Sequence, residues 1–152
     1  MLSPQDLRGI LALRGTCARD EAQFFVHERI EQIAAAAPDE LAVLSGSRSL
    51  SYRELNNHAN KLAYHLIERG VGPGMYVGIA LDSSVELLVG IVATLKSGAA
   101  YIPIDVQYPA HRIKTVIDDA RPVLILTNGA AMGTLPPAAV AVEVRIDDVC
   151  PA

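Results

Sequence analysis

Leu95-Lys96-Ser97-Gly98-Ala99-Ala100-Tyr101-Ile102-Pro103-Ile104-Asp105-Val106-Gln107-Tyr108-Pro109 is the stretch whose reading decides the fold. A helix that stops after Lys96 needs a residue tolerant of positive φ just beyond it, and Gly98 supplies one. Ala99 to Ile104 is short and apolar enough for a buried strand, and Asp105 gives that strand a polar exit. Pro109, with its fixed φ and missing N–H, suits the first residue of a new helix. Helix, glycine stop, strand and helix in such close succession call for helices laid against a parallel sheet.

The same grammar extends in both directions. Upstream, Val85 to Lys96 is apolar on most sides through Leu87, Leu88, Val89, Ile91, Val92 and Leu95, so this helix is expected to lie deep between the sheet and a further layer. Tyr76 to Leu81 reads as a buried strand, with Asp82, Ser83 and Ser84 as its polar exit and helix cap. Before it, Ser51 and Glu54 form a capping box, Leu50 and Leu55 sit where a hydrophobic staple would close, and Leu55, Ala59, Leu62 and Leu66 continue one face. Gly70 ends that helix, and Gly72, Pro73 and Gly74 turn the chain. Leu41 to Leu44 and Ser49 to Tyr52 flank a turn at Gly46 and suggest a small hairpin. From Gln23 to Ala37, the spacing of Val26, Ile30, Ile33 and Ala37 marks an amphipathic helix whose wet face would hold His27, Glu28, Arg29 and Glu31.

Downstream of Pro109, a helix to about Ala120 would turn Ile113, Val116 and Ile117 inward. Val123 to Thr127 is wholly apolar, as strands of parallel sheets covered on both faces are. The periodicity fails from Gly129 to Pro137, and Val140 to Ile146 reads as a last strand. The fold class expected is therefore α/β, a three-layer sandwich around a mainly parallel sheet, with residues 23–152 as one unit and 1–22 as a flexible lead.

Composition narrows the function. The chain has 152 residues, of which 51% are hydrophobic, enough for one domain that buries roughly two-thirds of its unfolded surface. Its 13 basic and 17 acidic side chains are dispersed, so the clustered positive field that draws a protein to nucleic acid is missing. Cys17 and Cys150 stand alone near opposite ends, which suggests neither a zinc site nor a disulfide framework. The most apolar run, Leu87 to Leu95, is shorter than the roughly 20 residues a bilayer span takes, and the N-terminus lacks the pattern of a secretory signal. A cytoplasmic protein without membrane or nucleic-acid partners is expected.

No residue stands out as catalytic, cofactor-binding or metal-ligating. Asp82 and Asp105 fall at strand exits, where ligands collect in open parallel sheets, but aspartate there is more often a turn former or cap. Ser83 and Ser84 read as caps, since neither lies in a G-x-S-x-G elbow. His27, His58, His65 and His111 read as solvated surface, unpaired with any nucleophile. Lys96 reads as the complement of its helix dipole. There is no G-x-x-x-x-G-K-[ST], and Gly70, Gly72 and Gly74 precede a strand instead of opening a helix on a phosphate.

Two motifs nevertheless carry a family resemblance. Leu50-Ser51-Tyr52-Arg53-Glu54-Leu55, with Asn56, Ala59, Asn60, Leu62 and Ala63 beyond, resembles the first core motif of the adenylation domains of nonribosomal peptide synthetases. Leu95 to Asp105, followed by Tyr108-Pro109 and Arg112-Ile113, resembles the second, departing at Ser97 where alanine is usual. The lead from His27-Glu28 through Ala37-Pro38-Asp39 to Leu41-Ala42-Val43 also matches the start of such domains, so the likeness runs from about Val26 to Ile146. The resemblance implies the acyl-adenylate-forming ligase fold and a parent domain that joins an amino acid to ATP as aminoacyl-AMP, with Mg²⁺, and loads it on a carrier-protein thiol. It also implies that the Ser/Thr/Gly-rich phosphate loop, the amino-acid pocket and the catalytic lysine lie beyond the second motif. This piece alone is therefore expected to be inactive and to bind no cofactor itself, with the rest of the domain or neighbouring condensation and carrier domains as its partners. The alternatives are a non-catalytic scaffold or complementing subunit of a split ligase, or a fragment of an acyl-CoA ligase.

Overall fold

The computed structural model describes residues 25–128, Leu135 and the backbone of residues 143–145. The first helix, α1, runs Val26–Ala36, followed by the antiparallel pair β1 (Leu41–Ser45) and β2 (Arg48–Ser51) around Gly46. Then come α2 (Tyr52–Glu68), β3 (Tyr76–Ala80), α3 (Val85–Lys96), β4 (Ala100–Pro103), α4 (Ala110–Ala120), β5 (Leu124–Thr127) and β6 (Glu143–Arg145). The larger sheet has the order β4-β3-β5-β6 with every pairing parallel. The three-layer α/β arrangement with a parallel sheet read from the sequence is the one observed.

The capping chemistry explains where α2 and α3 begin and end. The Ser51 amide donates to Glu54 Oε2 at 2.8 Å, and the Glu54 amide donates to Ser51 Oγ at 3.3 Å, which completes the expected box. Leu50 packs against the cluster that contains Leu55, so the staple is closed as well. At the far end of α2, the Gly70 amide reaches Ile67 O at 2.8 Å and the Val71 amide reaches Leu66 O at 3.0 Å, with Gly70 at φ +84°. At the end of α3, the Gly98 amide reaches Leu95 O at 3.1 Å and the Ala99 amide reaches Thr94 O at 3.2 Å, with Gly98 at φ +82°. Both ends are Schellman motifs, and each hands the chain to the sheet with its last carbonyls satisfied.

The strands alternate between two cores. Val77, Ile79, Leu124 and Leu126 join Leu55, Leu62 and Leu66 of α2 and Val89, Val92 and Ala93 of α3 on one side. Ala80 and Ile125 join Ile104, Val106, Ile113, Ile117 and Leu135 on the other. Because β3 pairs β5 with Val77 opposite Leu124 and Gly78 opposite Ile125, like faces meet, and β5 is buried along its whole length. α3 touches β3 and β4 of the sheet as well as α1, α2 and the β1–β2 hairpin, so it lies between layers as expected.

Several boundaries and orientations differ from the sequence reading. Residues 23 and 24 lie outside the described residues, α1 ends at Ala36, and Val26 is 65% exposed instead of inward, while Ile30, Ile33 and Ala37 of its stripe are half-buried. Pro109 is the N-cap of α4 and not its first helical residue, with extended ψ of 141°. The end of α4 is capped by a residue that is not glycine: Arg121 takes the left-handed region at φ 47°, just ahead of Pro122. Val116 is half-buried, whereas Ile113 and Ile117 are buried. The lead 1–22, Cys17, Cys150 and residues 140–142 and 146 of the last expected strand fall outside the described residues.

Candidate functional site

At the carboxyl edge of the sheet, β3 lies between β4 and β5, so their exits at Leu81–Ser84, Ile104–Asp105 and Thr127–Asn128 stand side by side. That is the place where an open parallel sheet receives a ligand. The polar groups there have structural partners. Asp105 Oδ1 accepts the Gln107 amide at 2.9 Å, an Asx turn that steers the chain towards Pro109. Ser84 Oγ accepts the Leu87 amide at 3.3 Å and caps α3, and the Ser83 carbonyl accepts from Ser45 Oγ at 3.2 Å. Thr127 is buried and its hydroxyl donates to the neighbouring Asn128 carbonyl at 3.4 Å. Asp82 is exposed beside them.

Charge at this edge is tied to the hairpin. Glu86, in the first turn of α3, pairs with Arg48 of β2. Burial works to raise its carboxyl, but hydrogen bonds from its own amide, from Ser84 and from Arg48, with the Arg48 charge, outweigh that and hold the group below its ordinary value. Glu54 is likewise held low, chiefly by the Ser51 amide and then by the Ser51 hydroxyl. Neither shift has the sign that would make a carboxyl a proton donor near neutral pH.

A second polar concavity lies at the C-terminal end of α3. His27, Glu28 and Glu31 of α1, Asn60, Ala63, Tyr64 and Ile67 of α2 and Lys96 of α3 line a cavity of about 470 Å³. An adjoining one of about 510 Å³ shares His27, Glu28 and Lys96 and is lined also by Phe25, Val26, Leu95, Gly98 and Ala99. The Lys96 side chain is only 6% exposed and pairs with Glu31. It stands in the last turn of α3, where it complements the helix dipole as expected, and its ammonium is in addition held by a partner 65 residues away in sequence. The only hint in the sequence was that Glu31 borders Ile30 on the inward stripe.

The histidines require correction. His111 is exposed, but His27, His58 and His65 are half-buried; His27 stacks on Phe25 with centroids 5.8 Å apart, and His65 contacts Arg69. Among the described residues no group of three His, Cys, Asp or Glu side chains could hold a metal ion, and no helix is long and apolar enough to cross a membrane. Among the described residues, Asp105 is engaged through Oδ1 in its turn, and the glycines at 70 and 74 take left-handed conformations ahead of a strand instead of opening a helix on a phosphate.

What this arrangement belongs to emerges from its relatives. Residues 30–150 match the family of AMP-binding enzymes, and the chain belongs to that family. Within it, the chain is 46% identical over 121 residues to a dimodular nonribosomal peptide synthase of Bacillus subtilis, which covers 80% of this chain and 5% of that protein. It is 37% identical over 119 residues to gramicidin S synthase 1 of Brevibacillus brevis, covering 78% of this chain and 11% of that one. Among solved structures, the nonribosomal peptide synthetase FmoA3 bound to α-methyl-L-serine-AMP superposes with a TM-score of 0.79 at 30% identity, over 88% of this chain and 16% of that one. The four-domain synthetase holo-AB3403, bound to AMP and glycine, gives 0.75 at 30% identity over 84% of this chain and 9% of that one. The fold is that of adenylation domains, and the chain spans about 2–11% of the lengths of the curated relatives it matches.

Proposed function

We propose that residues 23–152 are the opening α/β portion of an amino-acid-activating adenylation domain of nonribosomal peptide synthesis, and that this portion is architectural. In the whole domain an amino-acid carboxylate oxygen attacks the α-phosphorus of ATP, the bond to the β-phosphate oxygen breaks, and aminoacyl-AMP and pyrophosphate result. A carrier-protein thiol then takes the acyl group as a thioester and releases AMP. Mg²⁺ would neutralise the phosphates during the first step. The observation that carries this reading is the placement of the two motifs. Leu50–Leu55 forms a capped helix start, and Leu95–Asp105 forms a helix stop and strand, with their polar groups engaged in caps and turns. The remainder of the adenylation domain and the neighbouring condensation and carrier domains are the expected partners, in the cytoplasm.

Amino-acid-dependent exchange of labelled pyrophosphate into ATP, measured on the isolated chain across a panel of amino acids, tests this. Background exchange is expected. A robust signal with any amino acid would place catalytic groups within these residues and overturn the reading.

One observation favours a second reading, that the chain complements a separately encoded remainder. Among the described residues β4 is an edge of the parallel sheet, and Tyr101 on it and Tyr76 on the neighbouring strand are 40% and 47% exposed. An edge strand with exposed aromatic neighbours is a surface on which further strands can add. Light scattering on the chain, alone and co-expressed with the downstream part of a related adenylation domain, separates the two readings. A monomer that ignores that part counts against complementation.

A further inference from the structure

We infer that the Glu31–Lys96 ion pair is a clasp that determines whether α1 is docked, and that α1 opens as a unit apart from α2, α3 and the sheet. The inference rests on packing alone and is independent of the proposed adenylation role. α2 buries Leu55, Ala59, Leu62, Ala63 and Leu66, whereas no residue of α1 is buried. Of the apolar side chains of α1, Ile30 packs on the core from a half-buried position, Ile33 and Ala34 are half-buried, and Val26 is 65% exposed. Open clefts of about 470 and 510 Å³, both lined by Lys96, lie between α1 and its neighbours, so part of the α1 surface that faces the body is not packed against it. A helix held this thinly by apolar area depends on its polar tie.

That tie is asymmetric. The Lys96 side chain is 6% exposed and that of Glu31 is 49% exposed. Removing the carboxylate therefore leaves an ammonium in a desolvated position, and the molecule relieves it by lifting α1 and letting water reach Lys96. The far end of α1 stays tied, because the Arg53 amide donates to Pro38 O and the Tyr52 amide to Glu40 O, both at 3.0 Å. The turn at Ala37–Glu40 is thus the hinge, and opening joins the two cavities into one groove over Ala63, Ile67, Leu95 and Ala99.

Amide hydrogen exchange on the full 152-residue chain tests the clasp. In the native chain the amides of 26–36 are expected to exchange at least about a hundredfold faster than those of Leu62 and Leu66. Glu31→Gln should speed exchange in α1 by about tenfold and leave α2 within about twofold. The apolar pair Glu31→Leu with Lys96→Met should return α1 to within about threefold of native, because it removes the buried charge along with its partner. Three results would overturn the inference: α1 and α2 exchanging in step, an unchanged α1 in Glu31→Gln, or an apolar pair as open as the single variant.

Discussion

Gly98 stops α3 against the ring of Pro73: a Cβ at Gly98 would stand 3.1 Å from Pro73 Cγ and 3.2 Å from its Cδ. The contact joins the end of one helix to the turn that leads into β3, so a single glycine sets both the Schellman stop and the spacing between neighbouring connections. Two demands fall on it at once, a left-handed φ of +82° and the absence of a side chain.

Gly98→Ala is therefore expected to destabilise the chain by about 1–2 kcal/mol from the left-handed conformation alone, with a further increment from crowding Pro73. Gly98→Val should cost more, because a β-branched side chain tolerates that φ least. Urea unfolding checks this. A midpoint for Gly98→Ala equal to the native one would show that the loop rearranges freely.

Gly78 makes a different demand. Its φ is ordinary, but a Cβ there would lie 2.9 Å from Ile104 Cδ1 and 3.0 Å from Ile125 Cγ1. Both isoleucines belong to the core between the sheet and α4. Ile104 Cδ1 can swing aside, while Ile125 Cγ1 sits near its backbone in a fully buried strand. Gly78→Ala should overpack that core by about 1–3 kcal/mol, seen as a lowered melting temperature. The added variant Ile125→Val should recover part of the loss if crowding is the cause.

Ser97 is the one departure from the usual motif, and its hydroxyl donates to Thr94 O at 2.7 Å from a buried position. Thr94 O also accepts the Ala99 amide at 3.2 Å, so it keeps a partner when the hydroxyl is removed. Ser97→Ala is expected to change stability by no more than about 1 kcal/mol. A larger loss in chemical denaturation would give the serine a role that its hydrogen bond does not explain.

The two perturbed carboxyls fix a direction for acid sensitivity. Glu54 and Glu86 both titrate below the ordinary glutamate value of 4.5 in the folded chain. The unfolded state thus binds protons first as pH falls, and their contribution is complete above that value and lost between it and the lower folded values. Stability measured from pH 6 downward should decline more steeply in the native chain than in a variant carrying Glu54→Gln and Glu86→Gln. Parallel curves would show that these groups are not linked to folding. Separately, Ser51→Ala, which removes the cap of α2, should cost about 1 kcal/mol at neutral pH.

Much of this molecule was legible in the residues because the signals are local. Ser51 with Glu54 marks a helix start through hydrogen bonds that span three residues, and Gly70 and Gly98 mark helix ends through backbone angles that only they adopt easily. The apolar run Val123 to Thr127 marked a strand covered on both faces; the strand formed is Leu124–Thr127, buried throughout, with Val123 exposed at its entry. The family followed from two such local units in their order. The candidate site was not legible in the same way, since the polar groups at the strand exits reveal their partners only once the strands are side by side. Tertiary structure alone decided what Lys96 does, because its partner Glu31 is brought to it by the packing of α1 on α3 and by no local spacing. It also decided that Val26 faces outward, since which part of an amphipathic stripe is covered depends on where the neighbouring helices end. The periodicity of a chain specifies its faces, and only packing specifies which faces meet.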